Sequence, residues 1–128
     1  MATAQPTIVA TFVSSADLSS SKYRCVYISG DGTVTFAPSA TALASRPIGI
    51  LTDDVGSASG DAVSVQLGGL AKVEAGDPVA AGSALSVDSA GRVVRTTTAN
   101  QYTIGIATTA AGASGDIITC VIAPGLIA

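Results

Sequence analysis

Two stretches of this chain carry the same ordered pattern, and that repetition limits the folds open to it. IGILTDDVGSASGDAVSVQLGGLA begins at Ile48, and IGIATTAAGASGDIITCVIAPGLIA begins at Ile104. Each reads as an Ile-Gly-Ile strand, a small-residue turn, a Ser-Gly-Asp corner and an apolar strand. Ser59-Gly60-Asp61 corresponds to Ser114-Gly115-Asp116. Val63, Val65 and Leu67 correspond to Ile118, Cys120 and Ile122, alternating with the period of two that marks a strand with one buried face. The match runs backwards, because VYISGDGTVTFAPSATALASRPIGI follows the order of LSVDSAGRVVRTTTANQYTIGI. Each copy therefore spans about 50 residues of strand–turn–strand–loop–strand–turn–strand, a usual length for a supersecondary repeat.

The repeat predicts an all-β fold: a compact barrel or sandwich of short antiparallel strands with internal duplication and an N-terminal extended arm. The repeat units are expected at about 21–71 and 78–128, within a single β domain over 21–128. Residues 1–20 stand outside the repeat as the arm, with a strand from Thr7 to Val13 and a Ser-rich joint after it. Pro38 to Arg46 reads either as a helical turn capped by Ser39 or as loop. The expected core positions are Val26, Ile28, Val34, Phe36, Ile48, Ile50, Val63, Val65, Leu67, Val87, Val93, Ile104, Ile106, Ile118, Cys120 and Ile122. Gly-rich corners at Ser29–Gly32 and Asp88–Gly91 supply the positive φ that tight hairpins need. Asp31, Asp61 and Asp116 are accordingly turn residues, and Asp53-Asp54 is a solvated turn. No carboxylate spacing of a calcium loop occurs.

Chemistry is poorly provided for. The chain contains no histidine, which removes Ser-His and Cys-His dyads and the commonest metal ligand. No phosphate-cradling glycine motif is present. Cys25 and Cys120 lie in apolar runs and read as reduced core thiols, a disulfide being the alternative. The reading is no enzyme, no cofactor, no metal and no small-molecule substrate. A net charge of −3 and six scattered basic residues speak against nucleic acid. No apolar run reaches the roughly 18 residues of a membrane span, and no secretory leader is recognisable. Charged residues make up 12% of the chain against roughly 25% in a typical soluble domain. Surface so poor in charge points to contact with other proteins.

The run GLAKVEAGDPVAAGSALSVDSAGRVVRTTTANQYTIGIATTAAGASGDIITCVI resembles the capsid decoration (cement) proteins of tailed bacteriophages, small head proteins of the domain-of-unknown-function type. The resemblance lies in the order G-D-x-V, G-x-x-L, D-x-x-G-R-V, I-G-I-A and A-G-x-S-G-D, and covers about residues 45–123. It implies a cement protein on the exterior of the virion, made in the bacterial host cytoplasm. Such a protein binds the major capsid protein as a homotrimer and stabilises the shell. Under that reading the interface residues are Thr7, Ile8, Val9 and Phe12 of the arm and Pro124, Leu126 and Ile127 of the apolar C-terminus. The alternatives are another virion part (a head fibre base or tail component) and a carrier module. The pattern V-x-x-G-D-x-V-x-x-G-x-x-L from Val73 is similar to half of a biotinyl or lipoyl domain, but Lys72 lacks the modification setting.

Overall fold

The computed structural model describes residues 5–18, 22–36, 38–52 and 60–127, with side chains from Ile8 onward. Among these residues nine strands form one continuous sheet: β1 (Gln5–Ser14), β2 (Cys25–Gly30), β3 (Thr33–Thr35), β4 (Gly49–Leu51), β5 (Ala62–Glu74), β6 (Ala84–Val87), β7 (Val93–Arg95), β8 (Tyr102–Ala107) and β9 (Ile117–Leu126). Among the described residues a single 3-10 turn, Leu43–Ser45, is the helical element. Ser39 does not cap it; its Oγ accepts from the backbone N–H groups of Thr41 and Ala42 in the loop before it. Asp53-Asp54, Ser59 and the Ser-rich joint at 19–21 lie outside the described residues.

The strand order is β1-β3-β2-β4-β5-β9-β8-β6-β7, and β1 also pairs with β5. That extra pairing closes β1, β3, β2, β4 and β5 into a five-stranded barrel, with β1 joined to β3 only at Val13 and Ser14. The remaining strands repeat the design. β5 pairs with β9, β9 with β8, β8 with β6 and β6 with β7. A parallel bridge from Val93 to Ala75 brings β7 back to the end of β5. The thirteen-residue β5 thus serves two barrels, its first half in one and its second half in the other.

The duplication holds residue by residue. Leu51 pairs with Val65 in the first copy as Ala107 pairs with Cys120 in the second. Ile50↔Gln66 matches Ile106↔Val121, and Val26↔Gly49 matches Leu85↔Gly105. Hydrogen bonds outside the ladders match too. Ser14 N–H donates to Asp61 C=O as Ala75 N–H donates to Asp116 C=O, and Ser15 N–H donates to Val34 C=O as Gly76 N–H donates to Val93 C=O.

Of the segment expected as an arm outside the repeat, the described strand β1 (Gln5–Ser14) pairs as the first strand of the first copy. Val9 to Val13 pair with Gln66 to Ala62 as Leu70 to Glu74 pair with Val121 to Ile117. Residues 9–13 read VATFV and residues 70–74 read LAKVE, sharing only alanine, so sequence comparison had almost no identity to find.

Each barrel has its own core. Leu18, Val26, Val34, Leu51, Val63 and Val65 fill the first, with Phe12, Ile48 and Leu67 packed against them. Every one of these has its counterpart in the larger second cluster, from Leu18 and Val79 to Leu67 and Ile122. Fully buried aliphatic side chains of this size contribute roughly 1.5–3 kcal/mol each.

Three expected core residues are exposed: Ile28, Phe36 and Ile106. Phe36 follows the last residue of β3 and occupies the position held by exposed Arg95 in the second copy. Ile106 lies on the outer face of the second barrel, opposite Val121. Ile28 pairs with buried Val34 across β2–β3 and is itself exposed.

Where β5 passes from one barrel to the other, buried Gln66 donates from Nε2 to Gly68 C=O (2.9 Å) and Leu70 C=O (2.8 Å). These bonds bridge the stretch of β5 that faces the register shifts of β1 at Pro6–Val9, and they satisfy the buried amide group.

Candidate interaction surface

The surface combines an internal joint, an exposed apolar row, an open strand edge and two grooves. At the joint, the β6–β7 turn packs on the start of β2. Cys25 N–H donates to Gly91 C=O at 2.7 Å, and Glu74 N–H donates to Tyr23 C=O at 2.8 Å. A chain of charges lies over this contact. Arg24 meets Glu74 at 3.3 Å, and Arg92 meets Asp88 at 3.1 Å and Glu74 at 4.0 Å. The Asp88 carboxylate also accepts from the backbone N–H groups of Ala90 and Arg92, so the turn and its ion pairs form one unit. These pairs are partly exposed, and each is worth only about 0–1 kcal/mol.

Both cysteines belong to the second core and are free thiols. Burial pushes both thiols up, Cys120 to about 12, and the charges of Cys120 and Asp88 add to the rise at Cys25. Thiol reagent at pH 8 is expected to modify neither in the folded protein and both in denaturant. The folded state holds these protons after the unfolded state has lost them. Their contribution is complete below the unfolded pKa and is lost as pH rises above about 8.5, by up to about 1.4 kcal/mol per pH unit for each thiol. Denaturant midpoints measured from pH 7 to 10 check this, and Cys120→Ala should flatten the alkaline fall.

The outer face of the second barrel presents Leu70, Val121, Ile106 and Ala84 in one row across β5, β9, β8 and β6. Ile106 and Val121 are exposed. β1 is paired with β5 along one edge from Gln5 to Val13, while its other edge meets β3 only at Val13 and Ser14. Between Gln5 and Phe12 that second edge has no strand partner among the described residues.

The residues expected at an interface fall into separate places. Ile8 and Val9 are exposed on β1, and Ile8 lies against Gly68. Phe12 packs against the first core. Thr7 is in β1, with its side chain outside the described residues. Pro124 and Leu126 line a groove of about 340 Å³ with Arg46, Ile48 and Tyr102. Ile127 instead borders a shallow groove of about 900 Å³ beside Pro78 to Ala84, and its backbone is bonded to Asn100 and Gln101. Of this row the sequence alternation brings out only Ile106, and it places that residue in the core. Only pairing shows which side of the sheet they face.

Among the described residues, no group of three or more histidine, cysteine, aspartate or glutamate side chains is placed to hold a metal ion. No helix is long and apolar enough to cross a membrane.

A protein family described as phage cement protein matches residues 7–123. The chain belongs to the phage cement proteins. The match begins inside β1 and ends in β9, so it takes in both barrels. No curated protein matches the chain. Among solved structures, this cement protein is similar in fold to the head fiber gp8.5 N base in bacteriophage phi29. The TM-score is 0.68 at 24% identity, covering 91% of this chain and 93% of that one. The cement protein is therefore a virion component with an all-β fold shared with another phage head part.

Proposed function

We propose that this cement protein binds the outer surface of a phage head through the major capsid protein, as a homotrimer, and clamps neighbouring capsid subunits. The observation that carries this reading is the family match from β1 to β9. The surface supports it. With 12% charged residues, contacts require little desolvation of ions and little ordering of long side chains. The edge of β1 that has no strand partner among the described residues offers backbone donors and acceptors to a capsid strand, with exposed Ile8 and Val9 beside them. Three such contacts from one trimer gain avidity once the first has formed.

A second reading is favoured by the fold of the phi29 head fiber base: a platform on the head that carries a further part. Copy number separates the two. Cement predicts saturation in proportion to the capsid subunits, and a fibre base predicts fewer sites. Heads purified without this protein should take it up to saturation and then resist heat-induced rupture better than bare heads. Ile8→Ser/Val9→Ser should bind them at least tenfold more weakly with an unchanged melting temperature. Absence of binding to heads would refute the proposal.

A further inference from the structure

The internal joint between the two barrels has an unused counterpart at each end of the chain. In the first barrel the outward row is Cys25, Ile50 and Gln66, continuing to Val9. The first two are 0% exposed because they are buried in the core cluster of the second barrel, and Gln66 is 2% exposed. The matching row of the second barrel is Ala84, Ile106 and Val121, continuing to Leu70. Among the described residues nothing covers it: Ile106 is 49% exposed and Val121 41%. The second-barrel row is wholly apolar and the first is apolar except for Gln66, but only the first has a neighbour on it among the described residues.

The receiving side shows the converse. Cys25 and Ile50 share a cluster with Val87, Ile104 and Ile122 of the second barrel, and Cys25 lies over the turn at Gly91. A Cβ at Gly91 would come within 2.7 Å of Cys25 C=O. The first-barrel counterparts are Ile28, Ile48, Leu67 and Gly32. Ile28 is 41% exposed where Val87 is 6%, and Ile48 and Leu67 are half-buried where Ile104 and Ile122 are buried. Gly32 has a positive φ as Gly91 does, yet a Cβ there would meet nothing within 4 Å. One end of the chain is thus a donor row without a receiver, and the other a receiver without a donor row.

We infer that a second copy of this chain fills each vacancy, with the Ala84–Ile106–Val121 row of one copy seated on the Ile28–Ile48–Leu67 mouth of the next. The contact is head-to-tail, and such contacts close into rings or run on as filaments. This rests on the homotrimer reading, under which three copies close a ring of six barrels joined by six like joints. The joint between copies differs from the internal one in charge. Arg24, Glu74, Asp88 and Arg92 correspond to Ser83, Val13, Ser29 and Thr33, none of them charged. Association between copies therefore rests on apolar burial and should vary little with salt.

Sedimentation equilibrium of the full chain tests this. The unaltered protein is expected at the mass of three chains, equally at low and high salt. Ile106→Asp, which places a charge in the donor row, and Ile28→Asp, which places one in the receiving mouth, should each sediment as monomers with unchanged circular dichroism. Mixed in equal amounts, they should form a one-to-one dimer and nothing larger, since each keeps one competent face. Trimers surviving in both variants would overturn the assigned faces and leave the trimer standing. A mixture that stays monomeric would overturn the head-to-tail geometry. An unaltered chain monomeric at every concentration would overturn the inference and the trimer together.

Discussion

Gly105→Ala is expected to lower stability by about 3–5 kcal/mol, enough to unfold much of a domain whose total stability is of that order. Gly105 is the glycine of the second Ile-Gly-Ile motif and pairs with Ile122 across β8–β9. A Cβ added there would fall on the carbonyl oxygen of Val121, an atom of the backbone that cannot swing aside. Relief requires β9 to move away from β8, which breaks the ladder and opens the core around Ile104 and Cys120. Gly49 holds the matching place in the first copy, where a Cβ would come within 2.5 Å of Gln66 C=O. The repeated glycine is therefore a requirement of strand approach in both barrels. Gly112→Ala is the control, since its nearest neighbour would be Asp116 Oδ2 at an ordinary 3.7 Å, and a change within about 0.5 kcal/mol is expected. Guanidinium unfolding followed by circular dichroism measures both. A Gly105→Ala midpoint equal to that of the unaltered chain would show that the β8–β9 contact yields cheaply.

Deleting residues 2–14 is expected to unfold the first barrel rather than simply weaken capsid binding. The deletion removes β1, which closes the barrel against both β5 and β3. It takes away Phe12, which packs against the core, and leaves Val63 without its strand partner and Val65 paired with β4 alone. Loss of one aromatic side chain from a core costs about 3–5 kcal/mol, and the whole strand costs more. The truncated chain should bind a hydrophobic dye, lose near-ultraviolet dichroism and aggregate through the bare edge of β5. A truncated chain that melts cooperatively near the original temperature would return the segment to the status of a detachable arm. The surface role of β1 is better tested by the exposed Ile8 and Val9 pair, which leaves Phe12 in place.

Much of the architecture was legible because its signals are local. Period-two alternation identified β5, β8 and β9. The Ser-Gly-Asp and Asp-Ser-Ala-Gly corners marked turns whose carboxylates do bond the backbone, as Asp88 and Asp116 show. The candidate surface was legible only in part. Ile8 and Val9 were found as exposed apolar residues, but the row at Leu70, Val121 and Ile106 was not. Alternation tells which residues share a face, and it says nothing about whether another layer covers that face.

By itself the sequence determined the all-β class, the duplication, the tight turns and the lack of histidine-based chemistry, because each depends on residue identity or on neighbours a few positions apart. Tertiary structure alone decided that β1 belongs to the first copy, that β5 serves two barrels, and that Ile50 is buried while its twin Ile106 is bare. Two copies of one pattern fold alike, but only one of them has the other packed on its outer face. That asymmetry arises from the order in which the barrels are strung on the chain, and no local pattern carries it.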